Sequence, residues 1–221
     1  MKRIALGGTT ILGAIVALAC SGTTAFSVTP YSTGKDNVAP PQTYQLFIGD
    51  KELSLAEGET ITAEGTFENP QIRVVAVPTR KFTYNGMAFE YAQEFTFEAD
   101  LADADYQDWT LSGNNVKLML FWMAEGATTK EFTDELISQF GAENCTTEPT
   151  SATFGELTLR GLRLNANVLG SRFHMDTFAI PSKRGTRLFV IQDSLPDGQE
   201  QSEEARVAYQ RLKETFRLAE E

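Results

Sequence analysis

The chain's one histidine lies two residues from a carboxylate, in the sequence Arg172-Phe-His-Met-Asp176. Residues two apart in a β-strand point to the same face of the sheet, so we expect His174 and Asp176 side by side. Such a pair can act as a general base with its orienting carboxylate in a hydrolase, or as two metal ligands. The alternative is a polar pair on the solvent side of a strand, and the sequence favours this alternative.

The thiol of Cys145 is the second group that could do chemistry. It follows Asn144 in a segment predicted to be a loop, and it becomes a nucleophile only where a nearby cation lowers its pKa. Otherwise it is a plain free cysteine. The sequence contains no G-x-S-x-G, G-x-x-x-x-G-K-[ST], G-x-G-x-x-G, H-E-x-x-H or C-x-x-C motif. These absences remove the common catalytic templates but do not exclude an enzyme. We predict no catalytic residues, no cofactor and no enzymatic activity.

A run of carboxylates between residues 90 and 108 contains no Lys or Arg. Within it, Asp103, Asp105 and Asp108 have a spacing that can collect a hard cation such as Ca²⁺. The run lacks the central Gly and the closing Glu of an EF-hand loop. A solvated acidic loop is the alternative, and the sequence favours it over a metal site.

The segment 156–187 has the opposite charge, with six basic residues against Glu156 and Asp176. This basic segment is a candidate surface for an acidic partner or for anionic lipid headgroups. Pairing of its cations with the acidic run is the structural alternative. The candidate residues are Arg160, Arg163, Arg172, Lys183, Arg184 and Arg187.

Composition limits the class of protein. The chain has 221 residues, 19 Lys and Arg against 30 Asp and Glu, and a formal net charge of -11. That balance excludes a protein whose main partner is nucleic acid, because phosphate binding needs a basic footprint. The length suits one domain of ordinary size with a small appendage.

The N-terminus resembles a bacterial lipoprotein signal. Lys2 and Arg3 precede the apolar run 4–19, which is too short for a typical membrane span. Ala17-Leu-Ala-Cys20 resembles a lipobox, although lipoboxes usually have Leu three residues before the Cys. The resemblance predicts a signal peptide over 1–19 and acylation of Cys20 by a fatty acid such as palmitate. Cleavage after Ala19 or Ala25 without acylation and an uncleaved anchor remain alternatives.

Residues 21–43 are rich in Ser, Thr, Gly and Pro, and we predict a flexible linker over 20–43. After it, two strand-like runs flank Gly49-Asp50, which predicts a hairpin with a two-residue turn. Thr60–Ala63 and Gln71–Val77 extend the β character. We therefore predict a small β appendage over 44–79.

Residues 80–221 are predicted to form the main domain. The apolar run Val116–Met123 indicates a strand covered on both faces. Thr128 and Glu131 form a capping box before a helix that ends at Gly141, and a second helix is predicted over about 202–218. Three strands are predicted between the helices, over Glu156–Val168, Arg172–Ile180 and Arg187–Gln192. The apolar pattern of the first shifts at Gly161, which predicts a bulge there.

The predicted fold class is α+β, an antiparallel β-sheet flanked by helices and preceded by the small β segment. The order of features in the C-terminal two-thirds resembles the PsbP-like fold of photosystem II extrinsic subunits and bacterial DcrB-like lipoproteins. The segments that carry the resemblance are Phe89-Glu-Tyr91, Trp109-Thr-Leu111, Phe173–Ile180, Gly185-Thr-Arg-Leu-Phe-Val190 and Leu212-Lys-Glu-Thr-Phe216.

This resemblance implies an α/β/α sandwich that docks on membrane-associated assemblies without chemistry of its own. The predicted function is therefore that of a cell-envelope lipoprotein. Cys20 would anchor it to the cell membrane or outer membrane, with the domain facing the periplasm or exterior and docked on a protein partner. A secreted or tethered module that binds a small ligand or divalent cation is the alternative.

Overall fold

The computed structural model describes residues 38–63 and 70–218. The predicted signal peptide, Cys20 and the linker as far as residue 37 lie outside the described residues. Within them the chain is organised as three antiparallel sheets and two helices, which confirms the α+β class.

The first sheet follows the linker and has the strand order β2-β1-β3. Its strands are β1 (Thr43–Ile48), β2 (Lys51–Ala56) and β3 (Ile72–Ala76). The predicted hairpin between β1 and β2 is confirmed, and Gly49 adopts a φ of 61° in its two-residue turn. The strand predicted over Thr60–Ala63 is wrong, because the chain turns away from β2 at Gly58, where φ is 81°.

The central sheet has seven antiparallel strands. They are β6 (Thr96–Asp100), β7 (Tyr106–Ser112), β8 (Val116–Met123), β9 (Cys145–Phe154), β10 (Leu157–Val168), β11 (Ser171–Ile180) and β12 (Thr186–Ser194). Their order across the sheet is β6-β7-β8-β12-β11-β10-β9. A third sheet, ordered β13-β5-β4, joins β4 (Thr79–Phe82), β5 (Met87–Ala92) and β13 (Arg217–Leu218).

Both helices begin at the predicted residues. Helix α1 (Thr129–Phe140) has the complete capping box of Thr128 and Glu131, and Gly141 follows it with a φ of 88°. Helix α2 (Glu203–Thr215) begins after Ser202, whose hydroxyl accepts a hydrogen bond from the Ala205 N–H. The helix is shorter than predicted, because the chain after Phe216 becomes β13 and pairs with β5.

The central sheet is covered on both faces, as the apolar run of β8 predicts. Leu118 and Leu120 face a core formed with α2, β4 and β5. The alternate residues Met119 and Phe121 face a second core, which contains Phe132 of α1. Because both sides of β8 are buried in apolar surroundings, its residues are apolar without the alternation of a half-exposed strand.

Two sequence predictions about this sheet are wrong. Cys145 does not lie in a loop but begins β9, an edge strand that makes four strands, rather than three, between the helices. The bulge at Gly161 is also absent, since β10 pairs without interruption with β9 and β11. The apolar pattern of β10 shifts because Leu159 faces the α2 core whereas Leu164 faces the α1 core. A Cβ at Gly161 would lie 2.2 Å from the Thr177 carbonyl oxygen, which explains the glycine.

Candidate functional site

A cluster of polar side chains is buried between α2 and the middle of the central sheet. Cross-strand pairing places Arg163 of β10 opposite Asp176 of β11, and His174 of β11 opposite Asp193 of β12. Helix α2 contributes Tyr209 to the same cluster. His174 and Asp176 therefore share one face, as predicted. They do not lie on a solvent-exposed side, because their exposed fractions are 2% and 1%.

Asp176 is held by an arginine and a tyrosine. Its two carboxylate oxygens accept hydrogen bonds of 2.7 Å from Nε and Nη2 of Arg163, which is the bidentate arrangement of a strong ion pair. Its Oδ2 also accepts a hydrogen bond from the hydroxyl of Tyr209. Burial, and then the charge of Asp176, raises the pKa of Tyr209 well above its usual range. The phenol therefore stays protonated and keeps donating to the carboxylate.

The carboxylate within 4.0 Å of His174 is that of Asp193 and not, as the sequence suggested, that of Asp176. The Nε2 of His174 lies 3.9 Å from Oδ2 of Asp193, which is too long for a hydrogen bond. Burial, and then the nearby guanidinium of Arg163, lowers the pKa of His174. The imidazole is thus neutral at pH 7, and its contact with Asp193 is not an ion pair there. Oδ2 of Asp193 instead accepts a 2.9 Å hydrogen bond from the N–H of Ser202, at the start of α2.

This cluster anchors α2 to the sheet. The Arg163–Asp176–Tyr209 network fastens the middle of the helix, and Asp193 fastens its first turn through Ser202. The sequence-based prediction did not include Asp193 and Tyr209 in this cluster. Both come from elements distant in sequence, and only the strand order and the seating of α2 bring them to His174 and Asp176. Asp176 is bound by Arg163 and Tyr209 and does not orient His174 as a general base.

A second acidic anchor of α2 was also missed. The carboxylate of Glu204 accepts hydrogen bonds from the N–H groups of Asn114 at 3.0 Å, Asn115 at 2.5 Å and Val116 at 2.9 Å. Two of these amides lie in the turn between β7 and β8, the third is the first of β8, and together they form a concave anion site. Glu204 fills that site and fastens the N-terminus of α2 to the hairpin.

The six residues of the basic segment do not form one surface. Arg163 belongs to the buried network described above. Arg172 is exposed at the beginning of β11, whereas Lys183 and Arg184 are exposed in the turn after the end of that strand. The eight residue steps from Arg172 to Ile180, the end of β11, span roughly 26 Å at about 3.3 Å per step. Arg160 is exposed on β10, and Arg187 is buried on β12.

The acidic run begins on β5, and its part from Glu98 to Asp108 lies at the β6 edge of the central sheet. Asp100 and Asp108 face each other across β6 and β7, and burial, followed by the charges of Asp100 and Glu98, raises the pKa of Asp108 to about 7. Oδ1 of Asp103 accepts a 2.8 Å hydrogen bond from the N–H of Asp105. Over residues 38–63 and 70–218, no three acidic, histidine or cysteine side chains form a group that could hold a metal ion.

Cys145 lacks the surroundings of a reactive thiol. Burial, and then the charge of Glu143, raises its pKa, whereas nucleophilic cysteines have a lowered one. In the described part of the chain it is a free cysteine. Its side chain packs against the α1 core.

No protein-family model matches this sequence, and no curated protein sequence matches it significantly. The resemblance to the PsbP-like fold therefore stays a prediction. None of the helices formed by the described residues is long and apolar enough to span a bilayer.

Proposed function

We propose that this chain is a lipid-anchored cell-envelope protein that docks on a protein partner through the exposed edge strand β3. Its main domain would be a PsbP-like scaffold without chemistry of its own. In this proposal Cys20 carries the acyl anchor. The linker follows it, and β1–β3 are the first strands after the linker.

The observation that carries the docking proposal is the apolar surface of β3. Ile72 is 63% exposed and Val74 is 57% exposed, and Val75 is exposed on the opposite face. Large apolar side chains that cluster on a surface are typical of interaction sites, whereas isolated ones are ordinary. Three exposed apolar side chains in one strand of five residues favour a protein contact.

The geometry of the first sheet indicates how a partner would bind. Ile72 lies opposite Ile48, and Val74 lies opposite Leu46, so apolar rows run across the sheet and end at β3. Among the described residues only β1 pairs with β3, which leaves the backbone groups of its outer edge available. An extended partner segment with apolar residues at alternate positions would continue both the hydrogen bonding and the apolar rows.

The polar cluster supports the proposal that the domain is not catalytic. Asp176 is bound by Arg163 and Tyr209, and Asp193 caps α2, so both carboxylates already have structural roles. The proposal of a PsbP-like scaffold is supported by the layers of the domain, with α1 on one face of the antiparallel sheet and α2 on the other.

A charge at the centre of β3 tests the docking proposal. Val74→Lys removes apolar burial worth about 1.5–3 kcal/mol and should weaken the contact by about tenfold or more. The matched control is Leu169→Lys, since Leu169 is 87% exposed in the turn after β10. In gently solubilised membranes, sedimentation should detect the wild type and the Leu169 variant in a complex larger than the monomer, and the Val74 variant as free chain. Equal sedimentation of all three chains would refute the proposal.

A further inference from the structure

The basic segment contributes three of its six residues to a single cleft at one end of the central sheet. This basic cleft has a volume of about 530 Å³, within the usual range of small-ligand sites. Among the described residues its lining contains no carboxylate and consists of Asn85, Gln107, Trp122, Lys183, Arg184 and Arg187. In a chain with a net charge of -11, such a lining is a local concentration of positive charge.

The floor of the basic cleft is a row of three residues across neighbouring strands. Gln107 of β7 lies opposite Trp122 of β8, which in turn lies opposite Arg187 of β12. Arg187 is 5% exposed, and its Nη1 donates a 3.3 Å hydrogen bond to the carbonyl of Pro181. A buried guanidinium is therefore held in a defined position at the bottom of the cleft.

The turn between β11 and β12 forms a basic wall with a fixed shape. The hydroxyl of Ser182 donates to the Arg184 carbonyl at 2.6 Å and accepts from the Arg184 N–H at 3.3 Å. Gly185 has a φ of 63°, and a Cβ there would lie 2.3 Å from the Met123 carbonyl oxygen, so the turn approaches β8 as closely as the backbone allows. This places Lys183 and Arg184 beside Trp122.

Asn85 lines the opposite wall of the cleft. It lies in the turn between β4 and β5 with a φ of 50°. Its side-chain Nδ2 is buried and has no hydrogen-bond partner among the described residues. Because this donor exposes no surface to the cleft, the site rests on the cationic side chains and on Trp122.

We propose that the basic cleft binds the phosphate group of a phosphomonoester. The three cationic side chains carry more positive charge than one carboxylate would neutralise. A phosphate dianion carries two negative charges, and its three acceptor oxygens match guanidinium groups in geometry. The indole of Trp122 offers an apolar surface for the group that carries the phosphate. The site does not depend on the docking proposed at β3, since it uses none of the same residues.

Calorimetric titration of the full chain in neutral detergent micelles tests this site. The probes are inorganic phosphate, phenyl phosphate, benzoate as a carboxylate with the same ring, and dihexanoyl phosphatidic acid as a lipid headgroup. Measurement at two temperatures ensures that a binding enthalpy near zero is not missed. Saturable binding of a phosphate probe, tighter than that of benzoate, is expected. The tighter of phenyl phosphate and the phosphatidic acid identifies the source of the phosphate.

Charge reversal distinguishes the cleft from general attraction. Lys183→Glu/Arg184→Glu should weaken phosphate binding by about tenfold or more, because charge-assisted hydrogen bonds are lost. Arg172→Glu is the control, since Arg172 is exposed at the other end of β11, and it should change binding by less than about twofold. Three results would overturn the site: no saturation by any phosphate probe up to about 10 mM, benzoate binding as tight as that of phenyl phosphate, or equal weakening by the control.

Discussion

Removal of the Arg163 guanidinium should destabilise the fold strongly. In Arg163→Met, the carboxylate of Asp176 would lose two 2.7 Å hydrogen bonds and its counter-charge while it stays 1% exposed. Breaking a buried ion pair from one side costs about 3–5 kcal/mol, because an uncompensated charge is left behind. Arg163 itself retains 29% side-chain exposure, so we expect a loss near the lower end, about 3 kcal/mol.

Urea unfolding, followed by tryptophan fluorescence and far-UV circular dichroism, measures this loss. Arg160→Met is the matched control, because Arg160 is an exposed arginine of the same strand and its loss should cost less than about 0.5 kcal/mol. In Arg163→Met/Asp176→Leu no carboxylate is left unpaired, and about 2 kcal/mol of the loss should be recovered. A loss below about 1 kcal/mol for Arg163→Met, or no recovery in the double variant, would refute the assignment of a buried ion pair.

Three further outcomes are expected. The folded-state pKa of Asp108 is about 7 and its unfolded value is about 3.9, so wild-type stability should fall as pH rises from about 4 to 7. Asp108→Asn should remove this slope and stabilise the fold at pH 8 by about 2–4 kcal/mol in urea unfolding; an unchanged slope would contradict the raised pKa. The lowered pKa of His174 has the opposite effect on the pH dependence of stability. The unfolded chain takes up the proton first, so stability should fall as pH drops below about 6.5, and His174→Gln should lack this fall. A variant that keeps the full acid-induced fall would count against the buried neutral imidazole. Intact mass of the membrane-extracted protein should give a diacyl or triacyl Cys20 as the first residue, whereas a soluble product that begins at Phe26 would exclude the anchor.

The local signals in the sequence were sufficient for both helix starts. The Thr128–Glu131 capping box and the Ser202 cap satisfy backbone groups within one turn, so they depend on neighbours in sequence alone. The buried strand Val116–Met123 was also predictable, since both of its faces are apolar.

The errors arise where distant elements decide the environment. Strand β9 is polar and contains Pro149, which a central strand would exclude but an edge strand tolerates. The pattern of β10 imitates a bulge because two different helices cover its two ends on opposite faces.

The polar cluster was only half predictable for the same reason. The spacing of His174 and Asp176 predicts their common face, but their partners Asp193, Arg163 and Tyr209 come from three other elements. The sequence places Arg163 on a partner surface because a net count of charges does not indicate which cations are already paired.

Site-specific photo-cross-linking in native membranes tests the docking proposal most directly. A photoreactive residue in place of Ile72, on the exposed edge of β3, should give one discrete adduct with another protein, and the same residue in place of Leu169 should give none. The adduct from position 72 should disappear in the Val74→Lys background. An adduct at twice the chain's own mass, the same adduct from both positions, or none from position 72 would contradict docking of a partner protein at this strand.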